Sequence, residues 1–168
     1  QAVLQIVDSR RNLLEVPAEE MQGIVMQVLD QESPLHEDVL VWRICAAAGV
    51  KAGSRIAEAV IQGAQQAEVQ GVLIRNGKFC FKRGMRVVPR DRSAVDHRER
   101  SIDYISGTEI GAALISLIKQ QGGISKQDVA KEVLRRFGFG RVTEDMLERF
   151  QKVTSSLVNK GNVVELED

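Results

Sequence analysis

The sequence predicts an α+β, mainly helical fold made of two winged-helix repeats in tandem, each a helix-turn-helix completed by a β-hairpin wing. Three features carry that expectation. The chain matches itself at an offset of 89 residues, apolar position on apolar position. Each half reads helix, helix, turn, helix from its apolar spacing and its cap residues. The first half then closes with two β-favouring runs around Asn76-Gly77, a strong short-range hairpin signal.

The repeat is ordered along the chain. At the offset of 89, Val16 meets Ile105, Met21 meets Ile110, Val25 meets Leu114, Val28 meets Leu117 and Leu29 meets Ile118. Leu35 then meets Ile124, Leu40 meets Val129, Ile44 meets Val133, Gly49 meets Gly138 and Val50 meets Phe139. One residue inserted near 141–143 makes the offset 90, so that Ile56 meets Met146, Val60 meets Phe150 and Ala67 meets Leu157. The predicted organisation is a leading segment 1–15, a first winged-helix domain 16–84, a basic connector 85–104, and a second winged-helix domain 105–168 with a short wing.

In the first domain a helix is predicted over 17–31, with Pro17 in its first turn and Glu19 and Glu20 at the positive end of its dipole. A second helix covers 36–48 and stops at Gly49. Val50-Lys51-Ala52-Gly53 forms the turn, and Ser54 caps a third helix reaching Val69. Gly71 ends it, and Val72-Leu73-Ile74 and Phe79-Cys80-Phe81 make the wing. The second domain repeats this order. Ser106 and Glu109 have capping-box spacing before a helix over 107–121. Ser125 caps a helix over 126–137 that Gly138 stops, Thr143 caps the third, and Val163-Val164-Glu165-Leu166 leaves only a short wing.

Composition sets outer bounds. At 168 residues, 43% hydrophobic and 27% charged, the chain is too apolar for disorder and long enough for two small domains. Aromatics are only 4%, so the cores must be aliphatic. No apolar run approaches the roughly 18 residues a membrane span needs, and nothing at the N-terminus reads as a signal peptide. Cys45 and Cys80 lie among apolar residues and predict reduced, buried thiols and a cytoplasmic protein. The start at Gln1 rather than Met predicts a piece of a longer protein.

The neutral total hides an uneven distribution: residues 1–81 carry a net −3, 82–100 a net +4 and 101–168 a net −1. A basic stretch holding Pro89 reads as a connector, either simply solvated or in contact with a polyanion. If Ile56, Val60, Gly63, Ala64 and Ala67 face inward, then Arg55, Glu58, Gln62, Gln65 and Gln66 face out. Arg and Gln on a recognition helix can reach base edges, and Lys51 and Ser54 sit where a helix N-terminus holds phosphate. Arg75 and Lys78 mark the wing tip, continued by Lys82, Arg83 and Arg86. The predicted nucleic-acid-binding set is therefore Lys51, Ser54, Arg55, Gln62, Arg75, Lys78, Lys82, Arg83 and Arg86. The same residues also suit an ordinary solvent-facing surface, and Glu58 would repel phosphate. The second copy turns Asp145, Glu148, Lys152, Ser155 and Ser156 outward, with Arg135, Arg136 and Arg141 placed to pair with its acids.

No catalytic or metal-binding residues are predicted, no cofactor, no small-molecule substrate and no enzyme activity. Gly71…Gly77-Lys78 misses a phosphate-binding loop by one residue of spacing, and Phe79 stands where Ser or Thr would bind magnesium. His36 and His97 lack zinc-site spacing, and His36-Glu37-Asp38 reads as a helix start. Asp91, Asp96 and Glu99 alternate with Arg90, Arg92, Arg98 and Arg100, which predicts ion pairs in an exposed connector.

The run Leu35-His36-Glu37-Asp38, followed by Ala48-Gly49-Val50-Lys51 and Gly53-Ser54-Arg55-Ile56, resembles a bacterial family catalogued as domain of unknown function 3320. Val88-Pro89-Arg90-Asp91-Arg92-Ser93 and Ile105 through Ile110 are similar to that family's connector and second half. Members lie at the C-terminal end of very large bacterial proteins that resemble superfamily I DNA/RNA helicases, often after a restriction-endonuclease-like domain. The resemblance implies a DNA-engaging accessory module whose partners include the helicase or nuclease domains of the parent chain, with the ATPase and nuclease chemistry located there. It implies no particular binding residues, and the second copy departs from the pattern at Val142-Thr143-Glu144-Asp145. Two other readings stand beside it: a docking platform for proteins or for the parent chain, marked by an exposed apolar patch on the third helix, and a free-standing transcriptional regulator.

Overall fold

Local sequence signals build six helices, and one non-local pairing completes a small sheet. A computed structural model describes residues 12–121 and 125–159, and the chain divides into two units, residues 1–86 and 87–168. The described residues are α+β and mainly helical, with six α-helices and one three-stranded sheet.

The first unit opens with a 3-10 turn, Leu13–Glu15, capped by the Asn12 side chain, which accepts from the Leu14 N–H at 3.1 Å. Helix α1 spans Ala18–Glu32, with Glu19 and Glu20 in its first turn. Strand β1 is only Leu35–His36, and α2 follows at once over Glu37–Ala48. His36 is the N-cap of α2, its Nδ1 accepting from the Asp38 N–H at 3.1 Å. Helix α3 spans Ser54–Val69, and the hairpin is β2 (Leu73–Asn76) and β3 (Phe79–Lys82). The sheet order is β1-β3-β2, antiparallel throughout, with Leu35 opposite Cys80 and Ile74 opposite Phe81. Met21, Val25, Val28, Leu29, Leu40, Ile44, Val60, Ala64, Leu73 and Cys80 fill the core between the helices and one face of the sheet.

Two local expectations are corrected here. Ser54 is not the cap of α3: Gly53 occupies that position without a side-chain bond, and Ser54 is the first helical residue, exposed. The hairpin loop is Gly77-Lys78 alone rather than the four residues Arg75-Asn76-Gly77-Lys78 between the β-favouring runs, because Arg75 pairs with Cys80 and Asn76 with Phe79. Gly77 takes φ +56 at the first loop position, where a tight hairpin needs a residue tolerating positive φ. Strand β1 was not expected at all, since two residues have no period and become a strand only by pairing with β3.

The second unit repeats the plan from further back than the apolar matches indicate. A 3-10 turn, Ile102–Tyr104, is capped by Ser101 and lies 89 residues after Leu13–Glu15, with Leu13 and Ile102 both buried. Helix α4 spans Gly107–Gln121, α5 Lys126–Arg136 and α6 Glu144–Asn159. Ile105, Ile110, Leu114, Leu117, Val133, Leu134, Phe137 and Phe150 form its core. Ser125 caps α5, and Thr143 Oγ1 accepts from the Met146 N–H at 3.4 Å. The short wing expected at Val163-Val164-Glu165-Leu166 lies outside the described residues.

In each unit a glycine lies under a large side chain of the facing helix, but on opposite partners of the pair. In the first, Gly63 of α3 lies under Met21 and the Gln22 backbone of α1; a Cβ there would sit 2.8 Å from Met21 Cγ. In the second, the repeat partner of Gly63 is Val153, and the small residues move to α4 as Gly107 and Gly111. A Cβ at Gly111 would meet Leu157 Cδ1 at 3.0 Å. Bulk has changed sides between the two helix contacts.

The connector is exposed at most positions and carries the expected Asp96–Arg98 ion pair, but Arg92 is not solvated as its charge predicts. Residues from Val87 onward belong to the second unit, and Arg92 is buried at 8% exposure. Its Nη1 and Nη2 donate to the two oxygens of Glu109 at 2.9 and 2.8 Å, and its guanidinium lies 5.6 Å from the Phe137 ring centroid. The Arg90 N–H also donates to Glu109 at 3.0 Å, and the Arg92 N–H donates to the Phe137 carbonyl. Glu109 is therefore only half of the predicted capping box. Its N–H donates to Ser106 Oγ at 3.1 Å, but its carboxylate, 0% exposed, serves the arginines. Gly138 makes this approach possible: it has φ +90, and a Cβ there would lie 2.4 Å from the Ser93 nitrogen.

Candidate nucleic-acid interface

Helix α3 is oriented by its buried stripe of Val60, Gly63, Ala64 and Ala67, with Ile56 half-buried at the start. That packing leaves Arg55, Glu58, Gln62 and Gln65 exposed, with Gln66 half-buried. Lys51 and Ser54 are exposed at the N-terminal end of the same helix.

The first turn of α3 differs chemically from those of the other helices. Acids stand in the first turn of α1 (Glu19, Glu20), α2 (Glu37, Asp38), α4 (Glu109), α5 (Asp128) and α6 (Glu144, Asp145). The first turn of α3 has none, and no side chain caps it. The leading N–H groups of a helix have no acceptor within it and carry the positive end of the dipole. Here Lys51 and Arg55 add full charges beside those groups. Neither has a carboxylate partner among the described residues. Such an end accepts an anion.

The hairpin is held against the helices, and two of its predicted cations are already engaged. Arg75 donates from Nε to Glu37 Oε1 at 3.2 Å, its Nη2 bonds the same oxygen, and its Nη1 lies 3.8 Å from Glu68. The Glu37 hydrogen bond pushes Arg75 further above its ordinary pKa. The Arg75 backbone N–H donates to Glu68 Oε1 at 3.2 Å, which satisfies a donor on the free edge of β2. Lys82 Nζ pairs with Asp30 at 2.5 Å. The Lys78 carbonyl accepts from the Glu37 N–H at 2.8 Å, so the loop tip is tied to the start of α2 while its ammonium stays exposed. Of the predicted residues, Lys51, Ser54, Arg55, Gln62, Lys78, Arg83 and Arg86 are exposed; Arg75 and Lys82 lie half-buried in ion pairs. Both acid partners are distant in sequence, which is why spacing did not reveal them.

The outer face of the sheet was not singled out from the sequence. Cys80 faces the core, so Phe79 and Phe81 face away from it, both half-buried. Phe79 meets the edge of His36 at 5.1 Å between centroids. The alternation Phe79-Cys80-Phe81 was the available signal.

In the second unit the equivalent helix start is already occupied by its own residues, with Thr143 as cap and Glu144 and Asp145 in the first turn of α6. Asp145, Glu148, Lys152, Ser155 and Ser156 are exposed as expected. Arg136 donates to Gln120 at 2.8 Å rather than to those acids, and Arg149 donates to the Ile102 and Ile105 carbonyls.

Titratable groups elsewhere have structural occupations. Burial pushes the Cys80 thiol up to about 12 and raises Cys45 as well, the reverse of an activated nucleophile. Hydrogen bonds from Ser93 hold Asp91, and one from the Arg98 N–H holds Asp96, below the usual carboxylate range. Among the described residues no three His, Cys, Asp or Glu side chains converge on one point, and no helix is long and apolar enough to cross a membrane.

Residues 11–58 match the family described as "Protein of unknown function (DUF3320)". That span runs from the first 3-10 turn to the first turn of α3, and so includes Lys51, Ser54 and Arg55. No curated protein and no solved structure matches the chain.

Proposed function

We propose that this chain is a non-catalytic nucleic-acid-binding module, two winged-helix units in tandem, serving a larger helicase- or nuclease-type protein. The uncapped, acid-free start of α3 with Lys51 and Arg55 carries this reading. A phosphate supplies the negative charge that every other described helix draws from its own first turn. The order α1-β1-α2-α3-β2-β3, with β1 on β3, supports a winged helix that would present α3 to a groove and the Gly77-Lys78 loop to the backbone. The match over residues 11–58 supports the family assignment on which the helicase setting depends.

Binding rests chiefly on phosphate contacts, and the zero net charge of the chain keeps it modest in affinity. Of the predicted set, the exposed cations with no carboxylate partner among the described residues are Lys51, Arg55, Lys78, Arg83 and Arg86. If three to five of them engage duplex phosphates, raising salt from about 50 to about 200 mM weakens binding roughly 40- to 500-fold. The second unit, with acids at the start of α6, contributes little to this contact and is free to dock on helicase or nuclease domains of the parent chain.

Fluorescence anisotropy with duplex and single-stranded DNA at those two salt concentrations tests the proposal. The double variant Arg55→Glu/Lys78→Glu should flatten the log–log salt slope by about 2 while leaving the melting curve in place. Unchanged affinity in that variant would refute the assignment. The docking alternative is less well supported: the exposed large apolar residue of α3, Val69 at 88%, stands alone at its far end.

A further inference from the structure

We infer that the outer face of the three-stranded sheet is a stacking platform for single-stranded nucleic acid, with Phe79 and Phe81 each receiving a base. The inference rests on the reading above and names the strand form and a second contact surface. An antiparallel sheet packed on one face normally carries polar residues on the other. Here the packed face holds Leu35, Leu73 and Cys80, while on the outer face only His36 and Asn76, the partners of Phe79, are polar; Ile74 (44% exposed), Phe79 and Phe81 are apolar, and Val72 (41% exposed) precedes β2 on the same side. The aromatic pair lies on β3, the central strand, and Ile74 stands directly opposite Phe81.

Charge selects the occupant. Lys78 and Arg83 bracket the aromatic pair in sequence, and both are exposed without a carboxylate partner among the described residues. Glu37, whose N–H donates to the Lys78 carbonyl at the loop tip, is held by Arg75. Apolar rings between unneutralised cations suit an anionic polymer with π-faced units, which is the composition of single-strand binding surfaces.

Spacing selects the strand form. Residues two apart on a strand are about 7 Å apart, twice the 3.4 Å rise per base along one strand of a duplex. Neighbouring bases must therefore be unstacked to rest on both rings, which a single strand allows and a duplex forbids.

The test uses the full chain and a fluorescein-labelled oligothymidylate of about a dozen nucleotides. Phe81→Leu keeps an apolar side chain of similar size and removes the ring. It should weaken oligothymidylate binding roughly tenfold or more, leave duplex binding unchanged and keep the salt slope, since every cation remains. Phe81→Trp should bind normally and lose emission as the oligonucleotide is added, with the wild type, whose single tryptophan is Trp42, as the control. Full affinity in Phe81→Leu alongside lost affinity in Arg55→Glu/Lys78→Glu overturns the platform and leaves the interface standing. Failure of the wild type to bind any nucleic acid at low salt overturns both. Concentration-dependent self-association relieved by Phe81→Leu would mark the face as a protein contact and overturn the platform.

Discussion

Replacing Arg92 by Leu removes the guanidinium that neutralises a fully buried carboxylate and leaves that carboxylate in place. Two bonds to Glu109, at 2.9 and 2.8 Å, disappear, together with one to the Arg90 carbonyl at 2.9 Å and the contact over Phe137. Glu109 keeps the Arg90 N–H at 3.0 Å and the Arg90 Nε at 3.5 Å. Breaking one side of a buried pair costs about 3–5 kcal/mol, and the remaining Arg90 places this case near 3 kcal/mol. A unit of this size is stable by about 4–12 kcal/mol, so the loss is a quarter or more of the total. With a urea m-value of about 1 kcal/mol/M, the midpoint of the second unit falls by about 3 M. Far-UV circular dichroism follows the helices of both units, whereas Trp42, in α2, reports the first unit. The dichroism transition should broaden and move down while the Trp42 transition stays. Arg92→Leu/Glu109→Leu removes the orphaned charge and should recover most of the loss. An Arg92→Leu midpoint within about 1 M of wild type, the roughly 1 kcal/mol of a surface pair, would refute the reasoning.

Other expectations follow from single positions. Gly138→Ala combines a left-handed backbone with a Cβ 2.4 Å from the Ser93 nitrogen; it should lower the melting temperature of the second unit, at a cost of roughly 1–3 kcal/mol or more. Gly63→Ala meets Met21 Cγ at 2.8 Å and the Gln22 backbone nitrogen at 3.1 Å, so overpacking of about 1–3 kcal/mol outweighs the helix-propensity gain of about 1 kcal/mol. Gly111→Ala meets only the end of the Leu157 side chain, at 3.0 Å, and should be near neutral or stabilising in the same melts. Cys80 keeps its proton up to about 12 in the fold against an ordinary value of 9, so the stabilisation it carries is present below pH 9 and is lost as pH rises from 9 to 12. A thiol reagent at pH 8 should leave Cys80 unmodified until urea exposes it.

What could be read without coordinates was what neighbours in sequence decide. Apolar spacing located the helices to within a residue or so at each end, because a helix commits its hydrogen bonds within four residues. His36, Ser125 and Thr143 were legible as helix starts because a cap acts on N–H groups two or three positions away. The repeat was legible because burial repeats with it. Its start at Asn12 and Ser101 was overlooked, since the clue is a pair of small polar caps rather than an apolar match.

The candidate interface was only partly legible. Exposure of Lys51, Arg55 and Lys78 follows from helical phase and hairpin position, both local properties. The neutralisation of Arg75 by Glu37 and of Lys82 by Asp30 does not, because each pair spans dozens of residues and any basic residue near a wing tip looks alike in sequence.

The sequence by itself therefore determined the helices, the hairpin, the shared order of a 3-10 turn and three helices in the two units, and the stripe that turns α3. Tertiary structure alone decided which charges remain free, which residues make β1, where Arg92 is buried, and which helix of each crossing carries the glycine. The physical reason is the same in each case. Secondary structure is settled by bonds a few residues long, while desolvation and charge pairing depend on what the fold brings alongside from far away in the chain.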